Sequence, residues 1–136
     1  MLPSFPDYAA FLVSLPEHYA AIQSSTLHTF TIGPLSAEVE GTVTFPGGYV
    51  LDIWELIDLD NGTIRYYSYE LEKNGERVWW YDPQAHPNDP SLASTHPHHK
   101  HVHPDIKHNR IPAPGLSFSG PNLPFLIEEI IQLLAE

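Results

Sequence analysis

Six of the chain's nine histidines fall between His96 and His108, most of them in the run His96-Pro97-His98-His99-Lys100-His101-Val102-His103. In an extended segment alternate side chains share a face, so His99, His101 and His103 would point one way and His98 and Lys100 the other. Two chemistries suit this pattern. Neutral imidazoles at His-x-His spacing hold zinc, copper or nickel, with His98, His99, His101 and His103 as the candidate ligands. Alternatively, imidazoles near their reference pKa beside a lysine suit RNA cleavage without a cofactor. One ring takes the 2′-hydroxyl proton, another protonates the leaving oxygen, and Lys100 stabilises the charged phosphate. The metal-free reading ranks first, because Pro97 and Pro104 stiffen the segment and alternation splits the histidines between two faces. Zinc or another divalent transition metal is the alternative. A solvated loop whose histidines cap backbone groups would show the same composition.

Other residue types point to the same region. Residues 96–110 hold Lys100, Lys107 and Arg110 against Asp105 alone, whereas residues 1–95 hold three bases against thirteen acids. The positive stretch of an acidic chain therefore coincides with its histidines, and Lys107 and Arg110 become candidates for docking a phosphate. Glu55 shares strand parity with Leu51, Ile53 and Ile57, so it is an acid on an apolar row that needs a partner or a raised pKa. Asp82 and His86 bracket the start of a proline-rich loop and can approach the cluster. His98, His99, Lys100 and His101, with Glu55, Asp82 and His86, make up the candidate catalytic set. Tyr66, Trp79 and Tyr81 are candidates for stacking on bases.

The whole chain has 136 residues and a net charge of −11, which disfavours a generally basic nucleic-acid coat protein or an anionic membrane surface as partner. Without cysteine it has no disulfides, thiolate ligands or Cys nucleophile. No apolar run reaches the roughly 20 residues needed to span a bilayer. The sequence shows no signal-peptide pattern, and the expected location is the cytoplasm.

The elements that must position these residues read as a single α+β domain. Residues 1–25 are helical, with Tyr8, Phe11, Leu12, Leu15, Tyr19 and Ile22 at helical spacing. Residues 26–82 are expected to form an antiparallel sheet of about five strands, and residues 83–122 a Pro/His-rich loop and site region. Residues 123–136 form a C-terminal helix that packs on one face of the sheet together with the N-terminal helices. Asn122 is its expected N-cap. Asn61-Gly62 and Asn74-Gly75 mark hairpins. Even-length loops there would set Glu55 opposite Ser68 and Ser68 opposite Tyr81. Trp54, Leu56, Tyr67, Tyr69, Leu71, Val78 and Trp80 would then face the helices, while Glu55, Tyr66, Ser68, Glu70, Arg77, Trp79 and Tyr81 line a binding face. A bulge would flip a strand.

Residues 49–136 resemble the TumE-type toxins of bacterial toxin–antitoxin modules. The likeness is carried by a Glu-bearing strand (Glu55), Tyr67 with Tyr69, the segment Trp80-Tyr81-Asp82, His86, the string Pro97-His98-His99-Lys100-His101 and a terminal helix. The family usually has arginine where this chain has Trp80, and Arg77 or Arg110 would have to substitute. The resemblance implies a small cytoplasmic toxin neutralised by a neighbouring antitoxin, with RNA as the substrate suggested by the site. A degenerate member that binds a protein partner without catalysis is the alternative.

Overall fold

The computed structural model describes residues 2–136. Helix α1 (Phe5–Val13) opens at Ser4, whose hydroxyl accepts the Asp7 amide, with Pro6 in its first turn, where a missing N–H costs little. Ser14 closes it and turns its hydroxyl back to the Phe11 carbonyl instead of capping the short α2 (Leu15–His18). Tyr8, Leu12 and Leu15 form the buried stripe of this helical pair. The last helix, α3 (Leu123–Leu134), buries Leu123, Leu126, Ile127 and Ile130.

Between them run eight strands: β1 (Ser24–Ser25), β2 (His28–Ile32), β3 (Ser36–Phe45), β4 (Tyr49–Asp58), β5 (Thr63–Lys73), β6 (Glu76–Asp82), β7 (His99–His101) and β8 (Arg110–Pro112). All pairings are antiparallel, in the order β1-β3-β4-β5-β6-β7-β8, with β2 also on the edge of β3. The α+β class stands, but the sheet has eight strands where about five were expected. The five long strands are the expected ones. The added β1, β7 and β8 are two or three residues long, too short to show a period of their own. β1 and β2 break at Thr26–Leu27, where Gly41 of β3 (φ 141°) lies so close that a Cβ would sit 2.6 Å from the Thr26 carbonyl oxygen.

The expected face assignment is overturned by two bulges. Asn74-Gly75 makes a two-residue turn between the paired Lys73 and Glu76, but the register slips between Leu71 and Glu72, leaving Val78 as the extra residue on β6. A second slip between Leu56 and Ile57 leaves Arg65 extra on β5. Each adds one residue to one strand, which exchanges the faces beyond it. Glu55 therefore pairs with Tyr67, and Tyr69 with Tyr81. The face under the helices carries Leu51, Ile53, Glu55, Tyr67, Tyr69, Leu71, Trp79 and Tyr81, all buried. Trp54, Tyr66, Ser68, Glu70 and Trp80 lie on the other face. Each large apolar side chain buried here contributes about 1.5–3 kcal/mol.

Asn122 stands at the start of α3 but does not cap it. Its buried amide donates to the Tyr69 hydroxyl and the Ser117 carbonyl and accepts the Ser117 amide, tying the preceding loop to the sheet.

Candidate functional site

Antiparallel pairing of β6 with β7 sets Asp82 directly opposite His99 and Trp80 opposite His101. Residues opposite one another share a face, as do residues two apart, so Asp82, His99, His101 and Trp80 converge. Asp82 Oδ1 lies 3.0 Å from His99 Nε2, and Asp82 Oδ2 lies 3.2 Å from His101 Nε2. The two Nε2 atoms are 3.2 Å apart. All three side chains are buried, with no more than 5% exposed. Each Nδ1 faces a carbonyl oxygen, Pro97 for His99 at 3.1 Å and Ile106 for His101 at 2.8 Å. Burial pushes the Asp82 carboxyl up, but hydrogen bonds with His101, His99 and the Gln84 amide outweigh it and hold the group well below the usual carboxylate range.

Three further side chains frame the cluster. His86 packs edge-on against His99, with ring centroids 4.9 Å apart. It is half-buried and lines a cleft of about 280 Å³ with Pro87, Asp89, Pro90, Ala93 and His96. Burial first, then the Arg110 charge, holds His86 below the usual imidazole range. Arg110 is paired with His101 across β7 and β8, and its buried Nε has no hydrogen-bond partner. Trp80 stacks on His101 at 4.4 Å, with the Arg77 guanidinium 5.5 Å from its ring. Arg77 is already paired with Glu70 at 3.0 Å. Both arginines proposed to replace the family arginine thus flank the Trp80–His101 stack, and Arg110 is the one whose Nε is free.

The remaining expected residues lie elsewhere. Glu55 is fully buried on the helix-facing side, where it accepts hydrogen bonds from Tyr8 and Tyr69. Burial raises its pKa, and those two hydrogen bonds oppose the rise. Lys100 points to the same side as Tyr81, pairs with Glu129 of α3 at 2.8 Å and lies over the Trp79 and Tyr81 rings. His98 stacks on Tyr67 and bonds to its hydroxyl at 2.6 Å, and burial lowers its pKa. Trp79 is buried, and Tyr81 donates to Glu129, so neither offers a face to a base. Tyr66 is exposed beside Trp54. Lys107 is exposed in the turn before β8, and His103 bonds to the Arg77 carbonyl, away from the cluster.

Of the expected set, the fold therefore gathers Asp82, His86, His99, His101 and Arg110, and separates Glu55, His98, Lys100 and His103 from them. Trp80 was read as a departure from a pattern and was placed on the helix-facing side, whereas it shares the other face with His101. Its spacing of two from Asp82 was the signal that it shares a face with the acid. Two imidazoles plus Asp82 also satisfy the geometric condition for a metal centre. His99 and His101 are two of the four expected histidine ligands, and Asp82 stands in place of His98 and His103.

A family model described as Toxin TumE matches residues 10–134. No curated protein and no solved structure gives a significant match. Among the described residues, no helix is long and apolar enough to cross a membrane.

Proposed function

The chain belongs to the TumE toxin family, and from that premise we propose that it is the toxin arm of a toxin–antitoxin pair, restrained by a protein antitoxin, and that it acts by cutting RNA at the cleft beside His86. The observation that carries the reading is the packing of His86 against the buried Asp82–His99–His101 cluster with Arg110 alongside. His86 bridges the open cleft and that cluster. It takes the proton from a ribose 2′-hydroxyl. The 2′-oxygen then bonds to phosphorus, the bond from phosphorus to the 5′-oxygen breaks, and that oxygen leaves with a proton from a second imidazole, His96 on the same cleft wall. The products are a 2′,3′-cyclic phosphate and a 5′-hydroxyl. Arg110 meets the phosphate charge that grows on the way. Asp82 holds the imidazoles behind His86 in place.

The test is induction in cells with and without the adjacent antitoxin gene. Growth arrest, RNA loss and cyclic-phosphate ends are the expected result. Arrest should disappear in His86→Ala, His99→Ala and Arg110→Ala while each variant remains folded. A parent chain that arrests growth with intact RNA would remove the RNA reading. A parent that causes no arrest would favour a partner-binding member without catalysis.

A further inference from the structure

We propose that Asp82, His99 and His101 form a binding site for one divalent transition-metal ion of the zinc class, with its fourth position open towards His86. The proposal stands on geometry and does not depend on the chain cutting RNA.

The two imidazoles are oriented as metal ligands are. The Nδ1 atoms of His99 and His101 each face a backbone carbonyl oxygen. A carbonyl only accepts, so each Nδ1 carries the hydrogen. Nε2 is then the nitrogen that each ring presents to an ion. The two Nε2 atoms lie 3.2 Å apart, 3.0 Å from Asp82 Oδ1 for His99 and 3.2 Å from Oδ2 for His101, where an ion would replace the proton that otherwise bridges imidazole and carboxylate. Three potential ligand side chains thus converge, each no more than 5% exposed. A single cation at their centre satisfies all three. A carbonyl on the far nitrogen is the arrangement that fixes the tautomer and orientation of metal-bound histidine.

The spacing also suits a small cation. Zinc binds nitrogen and carboxylate oxygen at about 2.0–2.1 Å in a tetrahedron, which places neighbouring ligand atoms about 3.3 Å apart. The separation of the two Nε2 atoms, 3.2 Å, is within a few tenths of an ångström of that edge, and the carboxylate reaches the pair with Oδ1 3.0 Å from His99 and Oδ2 3.2 Å from His101. Oδ1 of Asp82 also accepts the Gln84 amide at 2.9 Å, which leaves Oδ2 as the better donor to an ion.

Neighbouring elements hold the three side chains in place. Trp80 covers the His101 ring. The turn carrying Ile106 holds the far side of His101, and the strand pairing of β6 with β7 holds Asp82 and His99. His86 packs against His99 and lines the neighbouring cleft, so the fourth position is assigned to that side. Three protein ligands and one accessible position are the pattern of a zinc site that takes water or substrate, as opposed to a closed structural one.

The experiment uses the full chain, purified without a histidine tag, and needs neither RNA nor toxicity. Zinc is added, the protein is dialysed, and metal per chain is measured by mass spectrometry. Cobalt(II) is then added to the metal-free chain to read its visible spectrum. Expected are about one zinc per chain and an intense tetrahedral cobalt band. Both should fall about tenfold or more in His99→Ala and in His101→Ala. His103→Ala and His108→Ala should keep both, because those side chains lie outside the cluster. Asp82→Asn provides a gentler variant should the alanine forms fail to fold, and should weaken binding because it removes the ligand's negative charge. Wild-type protein that retains no zinc and gives only an octahedral cobalt spectrum overturns the proposal. So does binding that survives loss of His99 or His101, or that disappears with His103. A chain that holds zinc yet leaves RNA intact supports the site and removes the RNA reading.

Discussion

Tyr8 of α1 donates a hydrogen bond of 2.6 Å to Glu55 of β4, across 47 residues of sequence. Tyr69 of β5 donates to the other carboxylate oxygen, and Asn122 in turn donates to the Tyr69 hydroxyl. One buried acid thereby joins the first helix, two central strands and the loop leading to the last helix. Its oxygens are occupied and fully buried, so its work is to fix the helices on the sheet and not to meet a substrate.

Replacing Glu55 tests that role. Glu55→Ala leaves two buried tyrosine hydroxyls without their acceptor and should cost about 2–5 kcal/mol in denaturant unfolding. Glu55→Gln keeps a polar partner of the same shape and should lose much less. The pH dependence has a definite sign. Burial raises the folded pKa of Glu55, so its favourable contribution is complete below the ordinary glutamate value of about 4.3 and declines as pH rises through the higher folded value. Stability curves of wild type and Glu55→Gln should therefore diverge across that window, the wild type falling with rising pH. Parallel curves would show that the carboxylate is fully compensated.

Asp58 should behave in the opposite way. Its carboxylate accepts the Asn61 backbone and side-chain amides, the Asp60 amide and the Arg65 guanidinium, and together they lower its pKa to about 2. A lowered carboxyl stabilises the fold above its unfolded value of about 3.9, and that contribution is lost as pH falls through the folded value. Asp58→Asn should remove this acid-side slope between roughly pH 4 and 2. An unchanged slope would mean that the turn after β4 forms without the charge.

These two acids also show what a single sequence can and cannot disclose. Strands β3 to β6 were legible because each runs over seven or more residues, with alternation as clear as that from Ala37 to Phe45. Glu55 was legible as an acid on an apolar row, but not the tyrosines that answer it, because Tyr8 comes from a helix far along the chain. The faces of β4 and β6 were misassigned because a bulge has no clear sequence mark. The residues Arg65 and Val78 look like ordinary strand residues, yet each exchanges the two sides of the sheet. The site was half legible for a similar reason. His-x-His spacing disclosed the pair His99 and His101, while their acid, Asp82, reaches them only through the non-local pairing of β6 with β7.

Gly41 offers a test of the edge. An alanine there would combine a φ of 141° with a Cβ 2.6 Å from the Thr26 carbonyl oxygen, which is backbone and cannot turn aside. The expected loss for Gly41→Ala is about 2–4 kcal/mol. Gly33 also has a positive φ, 68°, but open space around its Cβ position. Gly33→Ala should cost only about 1 kcal/mol. Equal losses would show that backbone strain alone governs both positions and that the close crossing at Thr26 contributes nothing.

Lys100 separates the two accounts of the histidine segment most sharply. As a phosphate-stabilising cation it would be required for toxicity and dispensable for folding. The structure instead turns it to the helix-facing side, where Nζ meets Glu129 Oε1 at 2.8 Å while Tyr81 donates to Oε2 of the same group. Both charged side chains are only about one-fifth exposed, 20% for Lys100 and 23% for Glu129, so removing one leaves the other poorly solvated. Lys100→Ala should therefore destabilise the domain by about 1–3 kcal/mol. In a double-mutant cycle with Glu129→Ala the pair should couple by at least about 0.5 kcal/mol. At a temperature where Lys100→Ala is still folded, its growth arrest should match that of the wild type, while His99→Ala causes none. A folded Lys100→Ala chain with wild-type stability and no toxicity would restore the lysine to the chemistry and remove it from the packing of α3.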